Sequence, residues 1–542
     1  MATSLKTIAI LTTFFCSTIS GAALANGQET LAAAKQGNAK AQLDVGLMFD
    51  SGQGVEQDKS RAVQWYRKAA AQGLSEAQFN LGVKYAQGDG IKRNATEAVK
   101  WLTAAADQGH PEAQLSLGMI FLGQYLQSGE GVTQNNAVAK SWLMKAADQG
   151  LSDAQFNLGM MYLDGEGVAQ NDAVAAEWFR KAAEQGNASA QLNLGFMIAN
   201  GRGVERNASE ALQWLHKAAE QGLSKAQLNL GLSYQEGYGV PRDDAAALMW
   251  FRKAADQGDG AAQLKLGLVY ADGRGVERSG AQAILWLGKA ADQGLAEAQY
   301  QLGYKYTYGI GVEKNEALAL EWLIKAAEQG HPDAQFDLGL ISTSQQGPNS
   351  SAFGWFRLAA EQGHNLAQHV IGIAYANGEG GVEIDQAQAA RWFQKAAEGG
   401  NAESQTILAA MYAGGTGVDK SYITAASWFR KAADKGFAKA QFALGLMYLN
   451  GEGVAQNYAA ALRWYRKAAE QGFAEAQYSL GSMYYYKVGV PQDYVEAYKW
   501  LSLSTAGGKR EARELRDNLA KVMSADQIAE AQRGSSEFEN SR

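Results

Sequence analysis

The stretch SDAQFNLGMMYLDGEGVAQNDAVAAEWFRKAAEQGN, residues Ser152–Asn187, contains the pattern that decides the fold. In its first half Ala154, Leu158 and Tyr162 recur every four residues, which predicts one apolar stripe along a helix, here called helix A. The turn GEGV at 165–168 follows. Its glycines can adopt positive φ at no steric cost, so this turn is expected to end helix A.

A second apolar face follows the turn and predicts a second helix, here called helix B. Ala175, Trp178, Phe179 and Ala182 have the spacing of one buried helical face. Gly186 is expected to end this helix. The stretch therefore predicts a helix–turn–helix unit of about 36 residues.

The same unit recurs along the whole chain, and its tryptophan marks each copy. Nine of the twelve gaps between tryptophans are 36 residues, and no tryptophan lies outside the series. A fixed period of this length indicates a solenoid rather than one globular core. Each tryptophan is expected to fill a buried slot at an interface that two units share. The series is Trp65, Trp101, Trp142, Trp178, Trp214, Trp250, Trp286, Trp322, Trp355, Trp392, Trp428, Trp464 and Trp500.

The two connections differ in how much length variation they accept. From each tryptophan to the glutamine of the next helix A the step is 13 residues in all twelve cases, whereas the step from glutamine to tryptophan varies. We therefore expect the A–B turns to point into solvent and the B–A turns to form part of the stacking interface. Gly159 has an equivalent in all units but one, where Ala409 stands. Because glycine weakens a helix, its recurrence predicts the close approach of another helix backbone.

The string A-Q-x-x-L-G-x-x-Y-x-x-G-x-G-V followed by W-F-R-K-A-A-E-Q-G resembles the Sel-one-like repeat family, a relative of the tetratricopeptide repeats. The match covers about 85% of the chain, from about 39 to 500. The resemblance implies an all-α, right-handed α/α superhelix of thirteen repeats, with helices A on the concave side. It also implies an adaptor that holds other proteins together, in bacteria often an exported one. A cysteine-rich branch of the family is associated with penicillin binding or hydrolysis, which does not carry over to a chain without the paired cysteines.

The chain divides into five predicted parts. Residues 1–25 have the short basic start, apolar stretch and A-x-A site of a secretory signal peptide, which predicts export, with the periplasm favoured and secretion an alternative. Residues 26–38 are an N-terminal cap, and 39–507 hold the repeats. Residues 508–533 are capping helices, and 534–542 are a disordered tail. No later stretch is apolar enough to span a membrane once the signal is removed.

Composition narrows the function classes. The net charge of −7 without a basic cluster argues against nucleic acid as a partner. The single cysteine, Cys16, lies in the predicted signal. Neither G-x-S-x-G, S-x-x-K nor H-E-x-x-H occurs, so no catalytic residue, metal or cofactor is predicted. The favoured function is a non-enzymatic scaffold of the cell envelope. The alternatives are a binder or weak hydrolase of cell-wall or β-lactam-type ligands and a secreted host-interaction factor.

The candidate binding surface is the face of helix A that lies away from the core. Counted from its glutamine as position 0, this face is predicted to comprise positions +2, +6 and +9, and most of these residues are polar. Their amides are expected to hydrogen-bond an extended partner segment; a plain solvated face is the alternative. The candidates are Asn80, Lys84, Asn157, Met161, Asp164, Asn193, Met197, Asn200, Asn229, Ser233, Glu236, Lys265, Asp272 and Tyr308.

Two places depart from the regular pattern. Tyrosines cluster in the unit that begins near residue 474, where we expect Tyr486 at a contact, and in the unit that begins near residue 296. In the latter we expect Tyr304 and Tyr306 in the core and Tyr308 at a contact. The next unit lacks the G-x-G-V turn, which predicts a kink or hinge at residues 340–355.

Overall fold

The computed structural model describes residues 27–124, 132–346 and 350–540, which form 29 helices and no strand. The predicted signal peptide lies outside these residues. The helices are α1 (Gly27–Lys35), α2 (Ala39–Ser51), α3 (Lys59–Ala71), α4 (Ser75–Gln87), α5 (Ala95–Asp107), α6 (Pro111–Phe121), α7 (Asn136–Asp148), α8 (Ser152–Asp164), α9 (Asp172–Glu184), α10 (Ala188–Asn200), α11 (Ala208–Glu220), α12 (Ser224–Glu236), α13 (Asp244–Asp256), α14 (Gly260–Asp272), α15 (Gly280–Asp292), α16 (Ala296–Tyr308), α17 (Glu316–Glu328), α18 (Pro332–Gln346), α19 (Ser350–Glu361), α20 (Asn365–Asn377), α21 (Gln386–Glu398), α22 (Ala402–Gly414), α23 (Tyr422–Asp434), α24 (Ala438–Asn450), α25 (Tyr458–Glu470), α26 (Ala474–Tyr486), α27 (Tyr494–Ala506), α28 (Arg510–Ala520) and α29 (Ala525–Asn540).

The helices α2 to α27 form thirteen A–B pairs, numbered here as repeats 1 to 13. Within α2 to α14, and again within α16 to α27, each helix packs on its neighbours along the chain. The predicted all-α repeat solenoid is thus confirmed. The chain divides into two compact units, 1–286 and 287–542, with the boundary inside α15.

Both ends of the array carry additional helices. At the start, α1 takes the place of a helix B, because the carbonyl of Ala34 accepts the side-chain amide of Gln42 from α2. At the end, the predicted disordered tail is wrong for residues 534–540. Helix α29 runs to Asn540, and the ring of Phe538 lies 5.4 Å from that of Trp500. This aromatic contact holds the segment in place.

A buried glutamine explains the invariant 13-residue step. In repeat 4 the side-chain nitrogen of Gln155 donates to the carbonyl of Ala147, near the end of the preceding helix B, at 3.3 Å. Each of the thirteen glutamines makes the equivalent bond to the residue eight positions earlier. An inserted residue in the B–A connection would leave a buried carbonyl without its partner, which is costly.

A second glutamine extends this bond in most repeats, although Gly399 and Gly507 stand at its position in repeats 10 and 13. Gln185, at the end of α9, donates its side-chain nitrogen to Oε1 of Gln155 at 2.7 Å. Repeat 11 differs because Lys435 replaces the second glutamine, and its Nζ donates to the carbonyl of Gly400 instead. Oε1 of Gln405 is accordingly buried without a hydrogen-bond partner.

The A–B turns contact the preceding repeat more closely than the sequence predicts. A Cβ atom at Gly239, the second glycine of the turn in repeat 6, would lie 2.6 Å from the carbonyl oxygen of Ala208 in the helix B of repeat 5. By contrast, a Cβ at Gly222 in a B–A connection would meet nothing within 4 Å. The A–B turns are therefore exposed over much of their length, as predicted, but their second glycine packs on the preceding repeat.

The residue after each tryptophan, not the tryptophan itself, fills the most deeply buried slot. Phe179 is fully buried, and its ring would lie 2.6 Å from a Cβ at Gly159. The backbone of helix B also comes close, as predicted, since a Cβ at Gly195 would lie 3.1 Å from the carbonyl oxygen of Ala211. Trp214, Trp250, Trp286 and Trp500 are buried, whereas the other nine tryptophans are half-buried.

The outer face of most tryptophans is covered by a lysine three residues later. Lys181 Nζ lies 4.1 Å from the centre of the Trp178 ring, a distance at which a cation is attracted to the aromatic face. The same pair occurs in eight further repeats, with distances of 3.8 to 4.6 Å. The tryptophan slot thus combines packing on the inside with a cation–π contact on the outside.

Candidate functional site

Position +6 of helix A belongs to the core, contrary to its predicted place on a binding face. Met161 is 2% exposed and packs with Leu115 and Met119 of repeat 3, and Met197 packs in the equivalent cluster one repeat later. Ser233 is also buried. This side of helix A faces the preceding repeat, which covers it. The prediction that Met161 and Met197 belong to a binding surface is therefore wrong.

Lys84 occupies the same +6 position as a buried cation. Its Nζ forms ion pairs with Asp50 of repeat 1 and, at 2.6 Å, with Asp89 in its own A–B turn. Asp89 is also bound by Lys59 at 2.8 Å. Burial is the largest single influence on the pKa of the Asp89 carboxyl and raises it, but the hydrogen bonds and charges of these two lysines together hold the pKa below its usual value. Lys84 joins repeats 1 and 2 and is not an accessible contact residue.

The asparagines at position +2 use part of their hydrogen-bonding capacity within helix A. The side-chain nitrogens of Asn157, Asn193 and Asn229 donate to the carbonyls four residues earlier, at 2.7, 2.8 and 2.6 Å. Asn157 and Asn193 are buried, while Asn229 is half-buried. Asn80 and Lys265 are half-buried at the same position. The predicted amide face exists, but it is only partly open.

Position +9 is exposed, as the sequence predicts. Asp164, Asn200, Glu236 and Asp272 are exposed at the ends of α8, α10, α12 and α14. Tyr308, the equivalent residue of α16, is 62% exposed. These residues have the accessibility that a contact requires.

The sequence reading missed position +5, which contributes a partly exposed apolar side chain in most repeats. On a helix of 100° per residue, +5 and +6 flank the line of +2 and +9 on opposite sides. Since the preceding repeat covers the +6 side, +5 remains at the surface. We define the helix-A face as positions +2, +5 and +9. Its larger apolar members at +5 are Val83, Met160, Phe196, Leu232 and Leu268 in the first compact unit, and Tyr304, Leu340, Ile373 and Leu446 in the second.

The helix-A face contains a groove of about 500 Å³ between repeats 5 and 6. It brings together four of the predicted candidates, namely Asn200, Asn229, Ser233 and Glu236. The other lining residues are Phe196, Ala199, Arg206, Leu215, Leu232 and Tyr238. An apolar floor with a few convergent polar groups is typical of binding sites.

Arg206 and Tyr238 form one wall of this groove and are held by the end of α10. The hydroxyl of Tyr238 donates to the carbonyl of Ala199 at 2.6 Å, and Nε of Arg206 donates to the same oxygen at 3.1 Å. The Arg206 guanidinium also lies 5.8 Å from the centre of the Tyr238 ring. Since both side chains satisfy the open end of a helix, the wall is preorganised.

A row of aromatic rings lies on the helix-A face of repeat 8. The Tyr304 ring lies 6.2 Å from Tyr300 and 4.7 Å from Tyr308, while Tyr300 stacks on His331 at 4.6 Å. Burial raises the pKa of the Tyr300 hydroxyl, and nearby carboxylates add to the effect. Tyr304 is 38% exposed, so its predicted place in the core is wrong.

Repeat 9 has an aspartate where repeats 4 to 6 have an asparagine. Burial, and then the negative charge of Asp333, raise the pKa of Asp337 to about 6, although His331 lowers it. In this repeat α18 continues to Gln346, two residues beyond the usual length of helix A. The predicted kink stays a prediction.

Two further properties concern the described part of the chain. Within residues 27–124, 132–346 and 350–540, no three His, Cys, Asp or Glu side chains converge in a way that could hold a metal ion. In that same part, no helix combines the length and the hydropathy needed to cross a membrane.

Comparison with known proteins identifies the repeat. The Sel1 repeat model matches thirteen consecutive segments, from 39–74 to 474–509. The chain is similar to a protective antigen of uropathogenic Escherichia coli with a Sel1-like repeat fold, at 36% identity over 88% of this chain and 94% of that chain, with a TM-score of 0.57.

Two further solved structures are similar over shorter stretches. A Sel1 repeat protein from Oxalobacter formigenes is 34% identical over 64% of this chain and 89% of its own, with a TM-score of 0.39. An immunity protein from Pseudomonas aeruginosa is 22% identical over 39% of this chain and 81% of its own, with a TM-score of 0.28. The comparison with curated proteins gives no match. On the thirteen matched segments, this chain belongs to the Sel1 repeat family.

Proposed function

We propose that this protein is a non-enzymatic scaffold of the bacterial cell envelope that binds segments of other proteins on its helix-A face. Sel1 and tetratricopeptide-like repeat proteins are generally protein-interaction scaffolds and typically non-catalytic. The observation that carries the proposal is the groove between repeats 5 and 6. It combines an apolar floor with the polar side chains of Asn200, Asn229 and Glu236, a combination suited to a peptide segment.

The envelope location is supported by the sequence. Residues 1–25 have the pattern of a signal peptide, and the only cysteine lies among them. Because the rest of the chain has no cysteine, it forms no disulfide and is compatible with an oxidising compartment outside the cytoplasm. We therefore place the scaffold in the periplasm.

The test is capture of partners from the periplasmic fraction by chemical crosslinking to the purified chain. The Leu232→Ser variant removes an apolar side chain from the groove. Met249→Ser is its matched control, because Met249 is 46% exposed on the helix B of repeat 6. We expect Leu232→Ser to lose partners that the wild type and Met249→Ser retain. Identical capture by both variants, at unchanged melting temperature, would contradict binding at the groove.

A second candidate function is contact with a host. The similar Escherichia coli protein is a protective antigen present in uropathogenic strains. A protective antigen is met by the immune system, which favours exposure at the cell surface or release for a related chain. Protease treatment of intact cells distinguishes the two locations. Digestion of the chain before lysis supports host contact, and protection until the outer membrane is opened supports the periplasmic scaffold.

A further inference from the structure

Exposed aromatic rings lie on the helix-A face where repeats 8 and 9 adjoin. Tyr304 and Tyr308 of α16 are 38% and 62% exposed, and Leu340, at position +5 of α18, is 47% exposed. Tyr300, whose ring lies 6.2 Å from that of Tyr304, packs against the cluster that contains Leu338 of α18. The exposed rings of α16 therefore lie beside α18, within one compact unit of the chain.

The carboxylate of Asp337 adjoins this row. Burial, and then the negative charge of Asp337, raise the pKa of the Tyr300 hydroxyl. The asparagines at the same position in repeats 4 to 6 each donate to a carbonyl four residues earlier, whereas an ionised carboxylate has no hydrogen to donate. Burial and the charge of Asp333 raise the pKa of Asp337, and only His331 lowers it, so no lysine or arginine of the described chain offsets this charge.

The other charges on α16 and α18 make this surface more negative. Glu297 and Asp333 are exposed, and each contacts a histidine, at 3.0 and 3.3 Å. Helix α18 has no lysine or arginine, and Lys305, the one basic residue of α16, is buried. Lys314, in the turn after α16, is paired with Glu316 at 2.8 Å. The exposed charge beside the aromatic row is therefore negative.

An arginine side chain matches this combination of rings and carboxylate. Its planar guanidinium stacks on aromatic faces, and it donates two parallel hydrogen bonds to one carboxylate. A lysine ammonium is a compact, strongly hydrated charge and lacks this planar fork. The pairing also gives Asp337 the cationic partner that the folded chain does not provide.

We infer that Tyr304, Tyr308 and Asp337 form a second contact surface of the scaffold, which takes an arginine side chain of a partner protein. The guanidinium stacks on the tyrosine rings and pairs with the Asp337 carboxylate, while a neighbouring residue of the segment packs on Leu340. This inference rests on the proposed function and adds a second surface, with its own chemistry, to the groove between repeats 5 and 6.

The test uses three fluorescein-labelled decapeptides in which serine alternates with arginine, citrulline or glutamate. Citrulline has nearly the shape of arginine but no charge, and serine keeps the peptides from binding through apolar side chains. Binding to the purified full chain is measured by fluorescence anisotropy. We expect the arginine peptide to bind most tightly and the glutamate peptide most weakly. Equal binding of the arginine and citrulline peptides would overturn the inference.

A pair of matched variants separates this contact from the overall negative charge of the chain. Asp337→Asn should weaken the arginine peptide about five- to tenfold, the loss of one half-buried ion pair, and leave the citrulline peptide unchanged. Asp434 is exposed on the helix B of repeat 11, and Asp434→Asn removes the same charge. This control should bind the arginine peptide as the wild type does. An equal loss in both variants would overturn the inference, because the attraction would then be general.

A second pair of variants tests the aromatic row. Tyr308→Ser should weaken the arginine peptide about two- to fivefold, the range for one exposed cation–π contact. Tyr486 is also 62% exposed and has the equivalent position +9 in repeat 13, so Tyr486→Ser is the matched control and should bind as the wild type does. The same affinity for both variants would contradict a role of the row.

The groove variant Leu232→Ser distinguishes failure of this inference from failure of the proposed function. It should bind the arginine peptide as the wild type does, because Leu232 lies in the groove between repeats 5 and 6. If Asp337→Asn and Tyr308→Ser change nothing while Leu232→Ser still loses periplasmic partners, the second surface is wrong and the scaffold stands. If Leu232→Ser also loses no partner, both the second surface and the groove are wrong.

Discussion

The side-chain amide of Gln227 donates a hydrogen bond to the carbonyl oxygen of Ala219, with 3.1 Å between the nitrogen and the oxygen. Its Oε1 in turn accepts from Nε2 of Gln257 at 2.7 Å. Gln227 is 5% exposed, so both bonds are made out of water at the junction of repeats 5 and 6. The two bonds fix α12 against α11, the helix B before it, and against the end of α13, the helix B after it.

Removal of this glutamine should therefore loosen one junction. We expect Gln227→Ala to cost about 1–3 kcal/mol, because it leaves the buried carbonyl of Ala219 without its donor. Gln405→Ala is the matched control. It should lower the free energy of unfolding by less, because Oε1 of Gln405 already lacks a partner. Hydrogen exchange of the amides in the affected repeats measures both local losses. Equal protection in wild type and Gln227→Ala would refute this role.

The free energy of unfolding that each tryptophan contributes should depend on how deeply it is buried. Trp250 is 4% exposed and packs with Leu215 and Leu230, whereas Trp392 is half-buried. We expect Trp250→Ala to cost about 3–5 kcal/mol and Trp392→Ala about 1–2 kcal/mol. Both residues carry a lysine on their outer face, at 4.2 and 4.0 Å, so the cation–π loss cancels in the comparison. Urea unfolding of the two variants gives the difference, and equal costs would contradict it.

Lys487 offers a stabilising substitution. Among the described residues it is the one non-glycine with positive φ, at 58°, and it ends α26 where most repeats have glycine. We expect Lys487→Gly to raise stability by about 0.5–1 kcal/mol, because glycine has no Cβ to strain the left-handed conformation. Lys487→Ala keeps the Cβ and should bring no gain. A higher melting temperature for the alanine than for the glycine variant would exclude this explanation.

Asp337 should make repeat 9 less stable as the pH rises. Its pKa is about 6 in the folded chain, above the value of 3.8 for an ordinary aspartate. The folded state therefore holds the proton more tightly, and stability falls between about pH 4 and pH 6. We expect Asp337→Asn to remove this slope and to stabilise the chain by roughly 1–2 kcal/mol at pH 7. Melting temperatures at pH 4 and pH 7 check the sign, and a variant that gains nothing at pH 7 would show it to be wrong.

The repeat architecture was predictable from the sequence because its signals are local and periodic. The spacing of residues such as Trp178 and Gln155 defines the helices and their number. The tail was not predictable in the same way, since the order of its helix depends on the contact of Phe538 with Trp500, a residue 38 positions away. Sequence composition near the end of the chain carries no sign of that contact.

The sequence identified the correct helix for the predicted binding face, but one of its three predicted positions, +6, is wrong. Met160 and Met161 are both apolar, and helical periodicity places them almost symmetrically about the exposed line. Only the packing of the preceding repeat decides that Met161 is covered and that Met160 stays half-exposed. A periodic pattern therefore identifies the helix, while its orientation depends on the neighbouring repeat.

The central claim is that partner segments bind at the helix-A face of repeats 5 and 6. Its most direct test is site-specific photocrosslinking in the cells that make the protein, with p-benzoylphenylalanine at position 232 or at position 249. Leu232 lies in the groove and Met249 is exposed on a helix B. We predict discrete crosslinked products from position 232 and none from position 249. Products from position 249 with none from position 232 would contradict the claim.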